Sequence, residues 1–97
     1  MYATLSYDVT AGPEPIEDVR AAMVELFAER DTCDMLSDTF ICAVDDTADY
    51  LSLAKKLKQI GTDFPAQFLF VFTLHRAGDP LRSNGNFPKP QAKEILE

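Results

Sequence analysis

The chain has 97 residues and a mass of 10.8 kDa, which is room for one domain and no second. Folding a chain of this size buries about 65% of its extended surface, so the core must be thin. Lys plus Arg number 9 and Asp plus Glu 16; the resulting net charge of -7 repels phosphate backbones at long range and argues against broad nucleic-acid binding.

Two cysteines, Cys33 and Cys42, are too few for a secreted disulfide framework and lack CxxC spacing. With only one histidine, His75, they cannot complete a four-ligand zinc site. No apolar run approaches the ~20 residues that a membrane span needs. No basic, apolar, small-residue leader pattern precedes the first strand pattern, so a cytoplasmic protein without a membrane partner is expected.

In chain order, Tyr2 to Val9 alternates, with Ala3, Leu5, Tyr7 and Val9 on one side and Tyr2, Thr4, Ser6 and Asp8 on the other. That period of two predicts a half-buried strand, broken by Gly12, Pro13 and Pro15. Ile16, Val19, Met23, Leu26 and Phe27 then follow helical spacing, which predicts a helix over Glu14 to Arg30. Pro15 and the carboxylates of Glu14, Glu17 and Asp18 suit its start, and Arg30 suits its negative end. Thr32 to Leu36 and Thr39 to Val44 read as a hairpin around Ser37-Asp38; a two-residue loop would set Cys33 opposite Cys42 and Met35 opposite Phe40. Asp45, Asp46 and Thr47 are candidate caps for a second helix, with the stripe Tyr50, Leu53, Ala54, Leu57 and Ile60, and Gly61 is placed to end it. Gln67 to His75 is a strand apolar on both faces, so the pattern does not choose which face turns inward. Residues 1–78 are thus expected to form the domain. Residues 79–97 form a tail, with a turn cluster at Ser83 to Asn86, a short edge strand near Leu81 and a short helix from Pro90.

The order β-α-β-β-α-β predicts an α+β, ferredoxin-like fold, an antiparallel sheet with two helices on one face. The other sheet face would expose apolar groups, and an exposed patch on so small a chain predicts a homodimer packed through its sheet faces.

The opening Tyr2-Ala3-Thr4-Leu5-Ser6-Tyr7-Asp8-Val9 resembles the first strand of the CRISPR-associated protein 2 superfamily, with its Tyr-Asp-Val/Leu ending. Leu36-Ser37-Asp38-Thr39-Phe40-Ile41 is similar to the Leu-Asp-Ser-Thr-Trp-Ile segment of the short SinR-like proteins. VapD toxins are a more remote likeness. The resemblance spans about residues 1–76. It implies a ferredoxin-like homodimer associated with RNA or DNA, in some members a magnesium-dependent endonuclease. The family's recurrent acidic residue maps to Asp8, with two copies from the dimer holding a magnesium ion.

Asp8, singled out by the resemblance, is a candidate ligand for a hard cation; the plain alternative is a strand-end carboxylate that accepts hydrogen bonds from the next loop. His75 is the one side chain that ordinarily titrates near neutrality, a candidate general acid. Lys55, Lys56, Lys58 and Arg76 are candidate nucleic-acid contacts, the lysines being also compatible with a plain solvated helix face. Two functions follow: a dimeric nucleic-acid-associated protein, acting as a metal-dependent endoribonuclease, or a non-catalytic module whose acidic surface meets a protein partner.

Overall fold

The alternating segment at the start becomes the central strand β1 (Tyr2–Val9), with Ala3 and Leu5 fully buried and Tyr2, Ser6 and Asp8 exposed. The structure, a computed structural model, describes residues 1–36, 38–75 and 82–85, for 82–84 the backbone only. After β1 come α1 (Ile16–Glu25), β2 (Thr32–Leu36), β3 (Thr39–Ala43), α2 (Thr47–Asp63), β4 (Phe68–His75) and β5 (Arg82–Gly85). The strands form one antiparallel sheet in the order β2-β3-β1-β4-β5. Both helices share one buried core with a single face of this sheet, an α+β arrangement compatible with a ferredoxin-like fold. The helix expected from Pro90 lies outside the described residues.

Helix α1 turns Val19 and Met23 into the core, the turn after it adds Phe27, and the α2 stripe buries Tyr50, Leu53, Ala54, Leu57 and Ile60. In β4 the phenylalanine face, Phe68, Phe70 and Phe72 with Leu74, turns inward, and Leu69, Val71, Thr73 and His75 remain half-buried on the open side. Tyr50 stacks on Phe72 at 4.8 Å between centroids, and its hydroxyl donates to the Phe72 carbonyl. A hydroxyl buried this deeply needs such an acceptor.

Four local expectations are corrected. Helix α1 stops at Glu25, and the next turns tighten to i→i−3 bonds at Leu26, Phe27, Ala28 and Arg30. No cation occupies its last turn, and Glu25 sits at the negative end of the helix dipole, where a carboxylate is disfavoured. Helix α2 runs through Gly61 to Asp63 and ends at Phe64, whose N–H donates to Ile60 at 2.9 Å. The left-handed backbone falls on Ala66 instead (φ 63°), just past Pro65.

The hairpin register is the third correction. Leu36 lies opposite Thr39 as a two-residue loop requires, but a bulge between Asp34 and Leu36 then sets Cys33 opposite Ile41 and Asp34 opposite Phe40. One extra residue flips every side chain beyond it to the other face. Cys42 is buried in the core, Cys33 is exposed on the open side, and the two thiols lie on opposite faces of the sheet. Burial pushes the Cys42 thiol up to about 11, so it stays protonated.

The fourth concerns the turn cluster expected at Ser83 to Asn86. An edge strand does form near Leu81, as expected, but it is Arg82–Gly85, most of that cluster, that pairs with β4, Gly85 opposite Val71. A side chain at Gly85 would run into the Phe70 carbonyl, so glycine is what allows the approach.

Candidate functional site

The face of the sheet that the helices leave open carries Tyr2, Thr4, Ser6 and Asp8 from the central strand. They are flanked by Thr39, Ile41 and Ala43 from β3 and by Leu69, Val71, Thr73 and His75 from β4. It is a mixed surface, with a hydroxyl stripe on an aliphatic ground. Among its described residues Asp8 is the one carboxylate, and no Lys or Arg lies on these three strands.

Asp8 is exposed at the end of β1, opposite Leu69. The loop that follows is held by Gln67, a buried polar residue with 2% exposure. Its amide donates to the carbonyls of Thr10 (3.2 Å) and Glu14 (2.8 Å) and accepts from the Glu14 N–H (3.1 Å). Thr10 adds a backbone bond to the Gln67 carbonyl at 2.9 Å and a hydroxyl bond to the Ala66 carbonyl at 2.9 Å. Gly12 lies against the Gln67 side chain so closely that a Cβ there would overlap it. Asp8 therefore stands at the mouth of a fixed loop.

His75 sits at the far end of the same face. Its ring stacks on Tyr2 at 4.9 Å and its Nε2 lies 2.9 Å from the Thr4 hydroxyl. It lies six steps along β4 from Leu69, the partner of Asp8, about 20 Å at strand rise. One protomer does not bring Asp8 and His75 into one site. Lys55, Lys56 and Lys58 are exposed on α2, across the sheet from the open face. Arg76 lies outside the described residues. Among those residues no three His, Cys, Asp or Glu side chains gather as a metal group.

One polar pair joins residues 19 positions apart, a contact no local sequence pattern marks. Arg30 grips Asp49 with two bonds of 2.6 Å and reaches the Ala43 carbonyl at 3.3 Å. Asp49 also accepts from the Asp45 N–H, and its own N–H donates to Asp46, the N-cap of α2. The guanidinium bonds hold the Asp49 carboxyl down at about 2, and the same bonds raise Arg30. Because the folded value lies below the ordinary 3.8, the pair's contribution is complete above that pH and disappears as pH falls through about 2. Discounted for its partial exposure, it amounts to ~1 kcal/mol. Acid titration of the unfolding free energy should therefore show a loss of stability in this window that Asp49→Asn removes. An unchanged acid limb in Asp49→Asn would contradict it.

No protein-family model, no curated protein and no solved structure matches the chain. Among the described residues no helix is long and apolar enough to cross a membrane.

Proposed function

We propose that the chain is the protomer of a cytoplasmic homodimer, paired through its open sheet faces, that acts by binding a protein partner without catalysis. Its kinship would be with the CRISPR-associated protein 2 superfamily and the SinR-like proteins. The observation that carries this reading is the electrostatics of the open face: Asp8 stands there without a single described cation, on a molecule of net charge -7. A nuclease groove needs positive charge beside its metal carboxylates to hold the phosphate backbone. Here the helix lysines point away from that face. The dimer follows from the half-buried Ile41, Leu69 and Val71, which a two-fold partner would cover together with the Thr and Ser stripe.

The second reading, a magnesium-dependent endoribonuclease or deoxyribonuclease, rests on Asp8 itself. It is exposed, at a strand end, on the face that a two-fold axis would bring against its own copy. Two such carboxylates with water would suit a hard cation, which would activate water for attack on a phosphodiester.

A panel of single-stranded RNA and duplex DNA at low salt, with and without magnesium or manganese, separates the two. Wild type and Asp8→Asn are purified alike. The binding reading predicts neither cleavage nor retention of either nucleic acid. Metal-dependent cleavage lost in Asp8→Asn would overturn it and establish the second; equal cleavage in both would identify a contaminant.

A further inference from the structure

On the helix side of the sheet, a groove of about 390 Å³ runs between α1 and β2. Phe40 and Tyr7 form its floor, Val24 and Phe27 its helix wall, and Thr32 and Asp34 its strand wall. Strand β2 ends the sheet: among the described residues it pairs with β3 alone, and all five of its residues are exposed. Apolar groups stay uncovered along this edge, Val24 at 57%, Met35 at 58% and Leu36 at 70%. The bulge lies at the turn end, so Thr32 to Asp34 keep regular pairing with β3.

An edge strand beside a helix with an apolar groove between them is the geometry that receives an extended peptide. The backbone of the guest adds to the ladder, and every second side chain drops into the groove. Charge selects the guest. Asp34 lines the groove, and Glu25, Glu29 and Asp31 stand around the α1–β2 connection next to it. The one guanidinium at the groove, Arg30, is already held by Asp49. A second copy of this chain is a poor guest, because its own β2 would bring Asp31 and Asp34 against the same carboxylates.

We propose that this groove binds an extended segment of another protein, as an added strand on β2, whose groove-facing side chains, at every second position, are apolar and basic in turn, apolar against Val24 and Phe27 and basic against Asp34. This gives the protein-binding reading above a site and a partner chemistry, and rests on that reading; it does not depend on how the open face is covered.

The test is an amide-resolved NMR titration of the full chain with a short lysine–valine peptide, in which valine and lysine alternate at every second position and threonine fills the positions between, so that one strand face carries both. A glutamate–valine peptide and a backbone N-methylated lysine–valine peptide run beside it. The expected result is shifts confined to 32–36 and the facing residues of α1, with weakening of about tenfold or more in Asp34→Lys. The glutamate and N-methylated peptides should leave 32–36 unmoved. Val24→Lys, at an exposed position, sets a cation in the groove and should weaken binding while the circular dichroism stays that of wild type. Unperturbed β2 amides at the highest soluble peptide concentration would overturn the groove, as would equal binding of the three peptides. Lysine–valine binding that moves Ser6 and Val71 instead would overturn the groove and leave the protein-binding reading standing. Absence of peptide binding together with Asp8-dependent RNA cleavage would remove both.

Discussion

Phe72→Ala is expected to cost ~3–5 kcal/mol, a large share of the roughly 5–15 kcal/mol that holds a domain of this size together. The side chain is fully buried at the middle of β4. It stacks on Tyr50, meets Phe27 edge-on at 6.3 Å, and lies opposite Leu5 of the central strand. Truncation removes the contact by which both helices and the sheet meet, and a close-packed interior refills such a space only in part. At roughly 4–8 °C per kcal/mol for a domain this small, the thermal midpoint should fall by at least about 12 °C. Leu51→Ala, at a 43%-exposed position on α2, should stay within ~0.5 kcal/mol of wild type. Equal losses in the two variants would mean that the phenylalanine face of β4 is not the core face.

Gln67→Leu should cost ~2–4 kcal/mol although it exchanges an amide for an aliphatic group of similar size. Three loop groups lose their partner at once: the carbonyls of Thr10 and Glu14 and the N–H of Glu14. Leaving buried polar groups unpaired costs more than the lost bonds themselves. The damage should be local as well as global, with faster hydrogen exchange at the Glu14 amide than in β1. Gln67→Glu should be no rescue, since a carboxylate has no hydrogen to offer the two carbonyls. A Gln67→Leu protein as stable as wild type, with unchanged exchange at Glu14, would show that the loop beside Asp8 is held by other contacts.

These two positions also mark what the sequence made legible. The core did not depend on long-range detail: alternation in Ala3 and Leu5 and the helical stripes of α1 and α2 name most buried residues, because burial imposes its own period. The inward face of β4 was not legible, since Leu69 and Val71 are as apolar as their neighbours and only packing against Tyr50 and Phe27 chooses Phe72. The bulge at Asp34/Leu36 carries no turn residue or glycine to announce it, so the register that parts Cys33 from Cys42 emerges only in the sheet. Arg82–Gly85 has poor strand propensity and is recruited by the edge of β4, a case of tertiary context overriding local preference.

The candidate site was legible in part. Asp8 and His75 both fall on the open face, as their positions in the alternating strands require, but strand length keeps them apart. The clamp of Gln67 and the Arg30–Asp49 pair join residues 53 and 57 or 19 positions apart, beyond any local pattern. For Asp49 a signal did exist: it stands three residues after the cap Asp46, where a carboxylate commonly reaches back to the start of its helix.

The central claim is that the open sheet face is where two copies meet, and light scattering at micromolar concentration tests it most directly. Wild type and Val71→Lys, which sets a cation on that face without touching the core, are measured side by side. The account predicts about twice the 10.8 kDa chain mass for wild type and the single-chain mass for Val71→Lys, with matching circular dichroism. A wild-type protein at the single-chain mass, or a Val71→Lys dimer as stable as wild type, would contradict it.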